Sequence, residues 1–334
     1  MYENSLYNVV FNEFKFNESL LDTPIPQLTS VFEGILYASF GAISIVIYFP
    51  FFIAILDKKN FQFPCYKIMA SIAFFDIINL FILGIVAGIW SILGLNYWTN
   101  PFGSIFICDM GYFIFCATTG ELIILAIQRC TQIISPQVTD LLFAGKLTYV
   151  WLMIPIVITF AMIVVHPVII YSSVLNVCVL DPYVGYPNQS TVKYESIYRI
   201  MENFGNTVIL IAIYFIFFVV LIFKKKQNNK NLDKKDSQNF LLFIQTAVIC
   251  LVTLISNFLY ITETYIQIPQ FAITLTELAT LLVHAIPPVI FLLFNKTLKN
   301  TIRGYFSNKI INDATLIKTK SVSIRILPAP IKII

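Results

Sequence analysis

Long apolar stretches alternate with short polar breaks along most of the chain. Seven stretches lie near residues 31–56, 68–93, 104–130, 147–170, 200–223, 240–262 and 271–294. A hydrocarbon layer about 30 Å thick is crossed by roughly 20 apolar residues in a helix. The stretches lack the alternation of apolar and polar residues that a membrane β-strand needs. The pattern therefore predicts an all-α polytopic membrane protein, with seven transmembrane helices over 31–294 and terminal tails at 1–30 and 295–334.

Composition excludes a soluble enzyme. Apolar residues make up 58% of the chain and charged residues only 12%, and the mean hydropathy is +0.80. Soluble domains carry about 25% charged residues to keep their surfaces wet. The two histidines, His166 and His284, are too few for a three-histidine metal site, and no Cys-x-x-Cys pair is present. We therefore expect no enzymatic activity, no cofactor and no metal.

The distribution of basic residues predicts the orientation. Of the 22 Lys and Arg residues, 19 lie in or beside four segments, namely 57–67, 129–146, 224–239 and the tail after 294. Basic residues stay on the cytoplasmic side of a membrane. We therefore expect the amino-terminal tail at 1–30 outside, and an amphipathic segment and tail at 295–334 inside. The net charge of +4 is then a topology signal, so the expected partner is the lipid bilayer and not a nucleic acid.

Cysteines and glycosylation sequons suit the predicted outer face. Cys108 lies near the outer end of the third span and Cys178 lies in the long loop after the fourth. Since only the outer face is oxidising, this pair is the expected disulfide, and two unbridged thiols are the alternative. The sequons that begin at Asn17 and Asn188 are both on the predicted outer face and are candidate glycosylation sites.

Three separated motifs carry a resemblance to a known family. Residues 63–69 read Phe-Pro-Cys-Tyr-Lys-Ile-Met and are followed at 71–76 by Ser-Ile-Ala-Phe-Phe-Asp. The third span ends at 125–130 with Leu-Ala-Ile-Gln-Arg-Cys, and the seventh contains Pro-Pro-Val-Ile-Phe at 287–291. Together they resemble the nematode serpentine chemoreceptors, a family of seven-transmembrane G-protein-coupled receptors, with class T (Srt) as the nearest match. The resemblance covers about 31–305.

The resemblance implies a function. A member of this family is expected to bind a small-molecule cue, such as an odorant or a pheromone, in the outer half of a rhodopsin-like bundle. It is expected to activate a heterotrimeric G protein from the plasma membrane, with the ciliary membrane of sensory neurons as the narrower expectation.

The same resemblance assigns an activation switch. Arg129 at the inner end of the third span and Pro136 seven residues later correspond to family positions near the G protein, as do Pro288 and Phe291 of the seventh span. Gln128 stands where rhodopsin-like receptors carry an acid beside the arginine. An interfacial arginine that only secures the helix end is the alternative for Arg129.

Polar groups inside the spans are the next candidates, because charge within a membrane is costly and faces the bundle interior. We expect Asp76, Glu121 and His284 to form an intramembrane polar core. The resemblance implies that Asp76 corresponds to the acid that binds sodium in rhodopsin-like receptors. Counting from Pro288 places His284 one helical turn nearer the outside, at a height that allows its ring to face Asp76, so we expect a hydrogen bond between these two side chains. A purely structural contact is the alternative.

A candidate ligand pocket follows from helical spacing. Four residues of the third span recur at i, i+3, i+4 and i+7 and so share one helix face. Polar residues of the fifth, sixth and seventh spans complete a mostly apolar cavity of the kind that binds small molecules. The candidates are Asp109, Tyr112, Phe113, Cys116, Asn203, Asn206, Asn257, Tyr260 and Glu277. Asp109 is the candidate partner of an amine ligand. For each residue, packing or lipid contact is the alternative.

A ligand-gated ion channel or a transporter is the competing function. Against it, the spans carry no ring of charge and no internal repeat with broken helices in matching positions.

Overall fold

Helices account for most of the computed structural model, which describes residues 4–11, 15–17, 29–184, 196–227, 234–265 and 269–305. Seven long helical spans follow the order expected from the apolar pattern. Their bounds are Val31–Leu56; Pro64–Asn79 continued by a π-helix at Leu80–Val86 and by Ala87–Leu93; Pro101–Ile134; Leu147–Val165; Ile197–Gln227; Lys234–Tyr265; and Gln270–Phe294. We refer to them as the first to seventh spans.

Length and composition support a membrane location. Within the described residues, the first, second, third, fourth and seventh spans are long and apolar enough to cross a bilayer. The fifth and sixth spans contain shorter apolar stretches, Phe204–Val220 and Ala247–Thr262. The fourth span ends at Val165 and not near residue 170 as predicted, because the chain becomes extended at His166, whose ψ is 149°.

Short helices lie outside the seven spans. Their bounds are Leu6–Phe11, Lys58–Phe61 and Pro136–Phe143, and residues 296–305 are also helical.

The third span lies at the centre of the bundle and the fourth at its edge. Of the most apolar stretch of each, 61% is buried in the third span and 22% in the fourth. The third span packs against the second, fourth, fifth and sixth. Side chains of the third span therefore reach most of the bundle interior.

Glycines bring the first two spans into close contact. A Cβ atom on Gly84 would lie 2.9 Å from the Cα atom of Gly41, and one on Gly34 would lie 2.6 Å from the carbonyl oxygen of Gly88. Small residues let membrane helices approach this closely. Gly84 belongs to the π-helical segment, a rare geometry that often marks functional sites.

A β-hairpin covers one end of the bundle, which we call the hairpin end. Its strands, β1 (Ile170–Ser172) and β2 (Val177–Val179), are antiparallel and pair Tyr171 with Cys178. Asn176 closes the turn with a φ of 57°, a left-handed conformation that asparagine tolerates better than most residues.

Helix side chains hold the hairpin in place. A disulfide joins Cys178 to Cys108, with 5.6 Å between their Cα atoms. The backbone N–H of Ile169 donates to Oδ1 of Asp109 at 2.8 Å, and that of Tyr171 donates to Oγ of Ser104 at 2.6 Å. The start of the third span therefore fixes the hairpin covalently and through two hydrogen bonds.

The amino-terminal segment also lies at the hairpin end. Ser5 forms an isolated bridge with Pro167, and Phe16 packs in a small apolar cluster with Tyr97 and Ile105. The hydroxyl of Tyr183 donates to the carbonyl oxygen of Asn17.

The opposite end of the bundle carries Arg129 and the helix at 296–305. Asn295 caps this helix, because its Oδ1 accepts from the N–H groups of Thr297 and Leu298. The Tyr305 hydroxyl donates to Oδ2 of Asp57 at 2.6 Å. This hydrogen bond lowers the pKa of Asp57 and raises the pKa of Tyr305.

Candidate functional site

A cavity opens among the spans beneath the hairpin. Its empty space is about 520 Å³, including the solvent at its mouth. Spans two, three, five, six and seven line it together with the hairpin region. The lining residues are Leu83, Gly111, Tyr112, Phe115, Ile169, Cys178, Arg199, Ser256, Asn257, Tyr260, Glu277 and Thr280. We call it the central cavity.

Arg199 places a positive charge in the cavity wall. Ser196 precedes it at the start of the fifth span, where the Ser196 hydroxyl accepts the backbone N–H of Arg199. The guanidinium lies 4.0 Å from the ring centroid of Tyr260 and 5.3 Å from that of Tyr112. Arg199 is only 8% exposed, and cation–π contacts become stronger when desolvated. Both rings therefore lie against this charge in the cavity wall.

The seventh span supplies an acid and a hydroxyl to the same cavity. Glu277 lines it as a half-buried carboxylate, and the hydroxyl of Thr280 lies 3.3 Å from that of Ser256. Tyr260 donates to the carbonyl oxygen of Cys178 at 3.3 Å. The cavity thus combines aromatic surface with one base, one acid and a few neutral polar groups, the composition typical of a small-molecule site.

His166 lies next to this wall. Its ring packs on that of Tyr112, with centroids 5.4 Å apart, and its Nδ1 is hydrogen-bonded to the carbonyl oxygen of Pro167. Burial, followed by the nearby positive charge of Arg199, lowers the pKa of His166 to about 4. The ring is therefore neutral at neutral pH.

Four predicted pocket residues line the central cavity: Tyr112, Asn257, Tyr260 and Glu277. Cys116 is buried in the third span and Asn206 is half-buried in the fifth, but neither belongs to the lining. The side chain of Asn203 lies outside the described residues.

Asp109 and Phe113 line a different cleft, on the side of the third span that faces the fourth. Oδ1 of Asp109 holds the hairpin instead of facing the central cavity. The face defined by the helical spacing is wider than the cavity wall, because its residues spread over both sides of the third span.

Arg199 and Phe115 are cavity residues that the spacing did not reveal. The sequence does set Arg199 apart, since it is one of only three basic residues outside the predicted cytoplasmic segments. It does not set Phe115 apart, because a phenylalanine in an apolar span looks the same whether it faces a cavity, a neighbour or lipid.

Below the central cavity, four buried side chains form a polar core. Nδ1 of His284 lies 2.7 Å from Oδ1 of Asp76, and the Tyr48 hydroxyl donates to Oδ2 of Asp76 at 2.5 Å. Asn79 Nδ2 lies 2.7 Å from His284 Nε2. All four residues are at most 1% exposed. The core links the first, second and seventh spans and includes the predicted Asp76–His284 pair.

Two orientations of the Asn79 amide fit the His284 ring. If Asn79 Nδ2 donates to Nε2, then Nδ1 carries a proton and donates to Asp76. Oδ1 of Asn79 has no hydrogen-bond partner among the described residues. If the Asn79 amide is turned over, its Oδ1 accepts a hydrogen bond from a protonated Nε2 instead. The orientation of the amide and the position of the ring proton are therefore linked.

Glu121 is fully buried near this core. Its Oε1 accepts a hydrogen bond from the Ser71 hydroxyl at 2.6 Å. The structure does not join Glu121 directly to Asp76 or His284 by any hydrogen bond within the described residues. It therefore links the second and third spans separately.

The four predicted switch residues lie toward the opposite end. Arg129 is 7% exposed and its Nη2 lies 3.9 Å from the sulfur of Met69. Pro136 begins the short helix after the third span. Pro288 is buried within the seventh span, and the ring of Phe291 stacks on Phe51 with centroids 5.7 Å apart.

The predicted disulfide and glycosylation residues have the following places. Cys108 and Cys178 are bonded. Asn17 is exposed in the amino-terminal segment, whereas Asn188 lies outside the described residues. Within the described part of the chain, no group of three or more His, Cys, Asp or Glu residues is arranged to hold a metal ion.

A known protein family matches this chain. It is described as the serpentine type 7TM GPCR chemoreceptor Srt, and the match covers residues 4–315, which is nearly the whole chain. A search of curated proteins finds no significant match.

Proposed function

The chain belongs to the Srt family of serpentine seven-transmembrane chemoreceptors, and we propose that it binds a small molecule in the central cavity and activates a heterotrimeric G protein. The chain is a multi-pass membrane protein with a chemosensory role, and its family is not an enzyme family. The proposed location is the plasma membrane, and more narrowly the ciliary membrane of sensory neurons.

Phe115 carries the proposal, because it lines the cavity and also contacts the polar core. It lines the central cavity, and its ring packs edge-on against the ring of His284 with centroids 5.9 Å apart. A ligand that moves Phe115 therefore acts directly on a group hydrogen-bonded to the second span. This is a short physical route from the cavity toward the end that carries Arg129.

Activation then follows from a difference in affinity. A ligand shifts a two-state equilibrium only as far as it binds one helix arrangement better than the other. The cavity takes its walls from five spans, so separating the inner ends of the helices also changes its shape. At the opposite end, Arg129 is buried against Met69 and becomes available to a G protein when the helices part.

The proposed orientation places the hairpin end outside. The basic residues support it through the positive-inside rule, and the disulfide at the hairpin end suits an oxidising compartment. Mapping glycans at Asn17 and Asn188, together with a protease site inserted in 224–239, tests this. Glycans on intact cells and cleavage only from the cytosol are expected. The inverse pattern would remove the basis for G-protein coupling.

The binding site is tested by a ligand screen with matched variants. Cells that express the chain with a G-protein reporter are exposed to odorants, and each response is repeated in Asn257→Ala and Asn206→Ala. We expect Asn257→Ala to weaken the response about tenfold or more, since losing a direct polar contact costs roughly 1–2 kcal/mol. Asn206→Ala is the control, because Asn206 does not line the cavity. Equal effects of both variants would exclude the central cavity as the binding site.

A further inference from the structure

The end of the bundle that carries Arg129 contains three buried polar side chains with unsatisfied atoms. Gln245 of the sixth span is fully buried, and neither Nε2 nor Oε1 of its amide has a hydrogen-bond partner within the described residues. In the same part of the chain, Oε1 of Gln128 and Nε of Arg129 are buried without a partner. Native proteins satisfy nearly all buried polar atoms, so three such residues at one end of the bundle require a physical explanation.

The three residues lie at one level of the bundle. Tyr112 of the third span and Tyr260 of the sixth both contact the guanidinium of Arg199, which aligns the two spans at that height. The spans run in opposite directions. Fifteen residues inward from Tyr260 is Gln245, and fifteen residues inward from Tyr112 is a position two residues before Arg129. At a rise of about 1.5 Å per residue, Gln245 therefore lies within one helical turn of Arg129 in height.

Side-chain packing agrees with this alignment. Cys130 and Ile133 of the third span form a small apolar cluster with Ala247 of the sixth span and Ile213 of the fifth. Ala247 stands two residues from Gln245, and the third and sixth spans are in contact. The unsatisfied amide is therefore enclosed where these two spans meet.

An amide without a partner in this interface favours separation of the two spans. Burial of a polar group without a hydrogen bond costs free energy. Arg129 adds a nearly buried charge, whose Nη2 lies against the sulfur of Met69, a weak acceptor. When the sixth span moves away from the third, the amide of Gln245 reaches water and this cost disappears. The closed arrangement therefore has a cost that the open arrangement lacks.

We propose that Gln245 sets the balance between closed and open arrangements of the third and sixth spans. Its amide destabilises the closed arrangement, so a ligand needs a smaller difference in affinity to open the end that carries Arg129. The link to signalling rests on the proposed function, whereas the balance itself is a property of the chain.

Labelling of Cys130 in the folded chain measures this balance without a G protein. Cys130 is buried in the apolar cluster between the two spans, so N-ethylmaleimide reaches it only when they separate. The full chain in lipid nanodiscs is labelled well below its melting temperature, and labelled peptides are quantified by mass spectrometry. Gln245→Met keeps the length of the side chain and removes both unsatisfied atoms. We expect it to slow labelling of Cys130 about tenfold, the factor that one unpaired buried amide implies for an equilibrium constant, and to raise the melting temperature.

Two controls make the test specific. Cys116 is buried nearer the hairpin end of the third span, so it should label at the same rate in the unaltered chain and in Gln245→Met. Thr253→Val removes another buried polar group of the sixth span, but this hydroxyl already donates to the carbonyl oxygen of Ile249 at 3.1 Å. It should therefore not slow labelling of Cys130.

Faster labelling of Cys130 or a lower melting temperature in Gln245→Met would overturn the proposal, because the amide would then be satisfied in the closed arrangement. Unchanged labelling of Cys130, or equal slowing at Cys116, would also overturn it, since the amide would not act on this interface. Slowing at Cys130 alone, in a chain that activates no G protein, would support the inference and count against the proposed function.

Discussion

The polar core offers the sharpest prediction about stability, since the two oxygens of one carboxyl group each make a hydrogen bond. The Tyr48 hydroxyl donates to Oδ2 of Asp76, and Nδ1 of His284, when it carries a proton, donates to Oδ1. Asp76→Asn leaves only one acceptor oxygen, so one donor must then face an NH₂ group. His284→Ala removes one of the competing donors. The double variant should therefore be less destabilised than the sum of the single variants.

The size of this coupling follows from measured hydrogen bonds in membranes. One side-chain hydrogen bond between membrane helices contributes about 0.6 kcal/mol on average and up to about 1.7 kcal/mol. A bond to a charged group reaches about 1.5–3 kcal/mol in soluble proteins. We expect a coupling free energy of about 1–2 kcal/mol. With typical unfolding entropies scaled to 334 residues, this corresponds to about 1.5–3 °C in melting temperature.

Buried cysteines provide the assay. The four cysteines outside the disulfide, Cys65, Cys116, Cys130 and Cys250, are all buried. A thiol-reactive dye therefore reports unfolding of the purified chain in detergent at a fixed heating rate. The unaltered chain, the two single variants and the double variant of Asp76 and His284 are compared in this assay. A control cycle pairs Asp76→Asn with Tyr305→Phe, which removes a hydroxyl from a separate hydrogen bond.

Distant sites should be additive and contacting sites should not. Additive melting temperatures in the Asp76 and His284 cycle would refute the direct interaction. The same coupling in the control cycle would show that the assay does not isolate the pair.

Three other regions give further predictions. Gly84→Ala should lower the melting temperature because its Cβ would lie 2.9 Å from the Cα of Gly41, whereas Gly205→Ala, with nothing within 4 Å, should leave it unchanged or raise it. The pKa of His166 is about 4 in the folded chain and about 6.5 in the unfolded chain. Below pH 6.5 the unfolded chain takes up a proton that the folded chain does not, so this group then lowers the free energy of unfolding. Lowering the pH from 7.5 to 5 should therefore destabilise the unaltered chain by about 2 kcal/mol more than a His166→Asn variant, and an equal change in both would contradict that assignment. Cys178→Ser opens a disulfide that spans 70 residues and should cost up to about 4 kcal/mol by the chain-entropy model; an unchanged melting temperature would contradict this.

The architecture was accessible from the sequence because the membrane imposes a strong, simple pattern. About twenty consecutive apolar residues are typical of a membrane-spanning helix, and the resemblance at 63–76, 125–130 and 287–291 led to the family that the comparison confirmed. The resemblance placed Asp76, and counting turns from Pro288 placed His284 at the same height, where the structure has the two in contact. A count of helical turns succeeds where the helix is regular and the residue is unusual for its surroundings.

The remaining contacts depend on packing that the pattern does not encode. Tyr48 and Asn79 join the polar core only because their helices approach at particular heights and rotations. Asp109 seemed suited to an amine in a central pocket, yet its Oδ1 holds the hairpin, whose position the apolar pattern does not predict. Helical spacing indicates which residues share a face, but the neighbouring spans decide what that face meets.

Nucleotide exchange on a purified G protein tests the central claim most directly. The chain is reconstituted in nanodiscs with one G protein of each major class and an odorant that the reporter screen identifies, and exchange is measured for the unaltered chain, Arg129→Ala and Arg303→Ala. Arg303 is the matched control, since it is exposed on the helix at 296–305. We expect the unaltered chain and Arg303→Ala to accelerate exchange on at least one G protein, and Arg129→Ala to leave exchange at its basal rate. No acceleration on any class, together with a ligand-dependent current through the same chain in a planar bilayer, would contradict the proposed function and favour a channel.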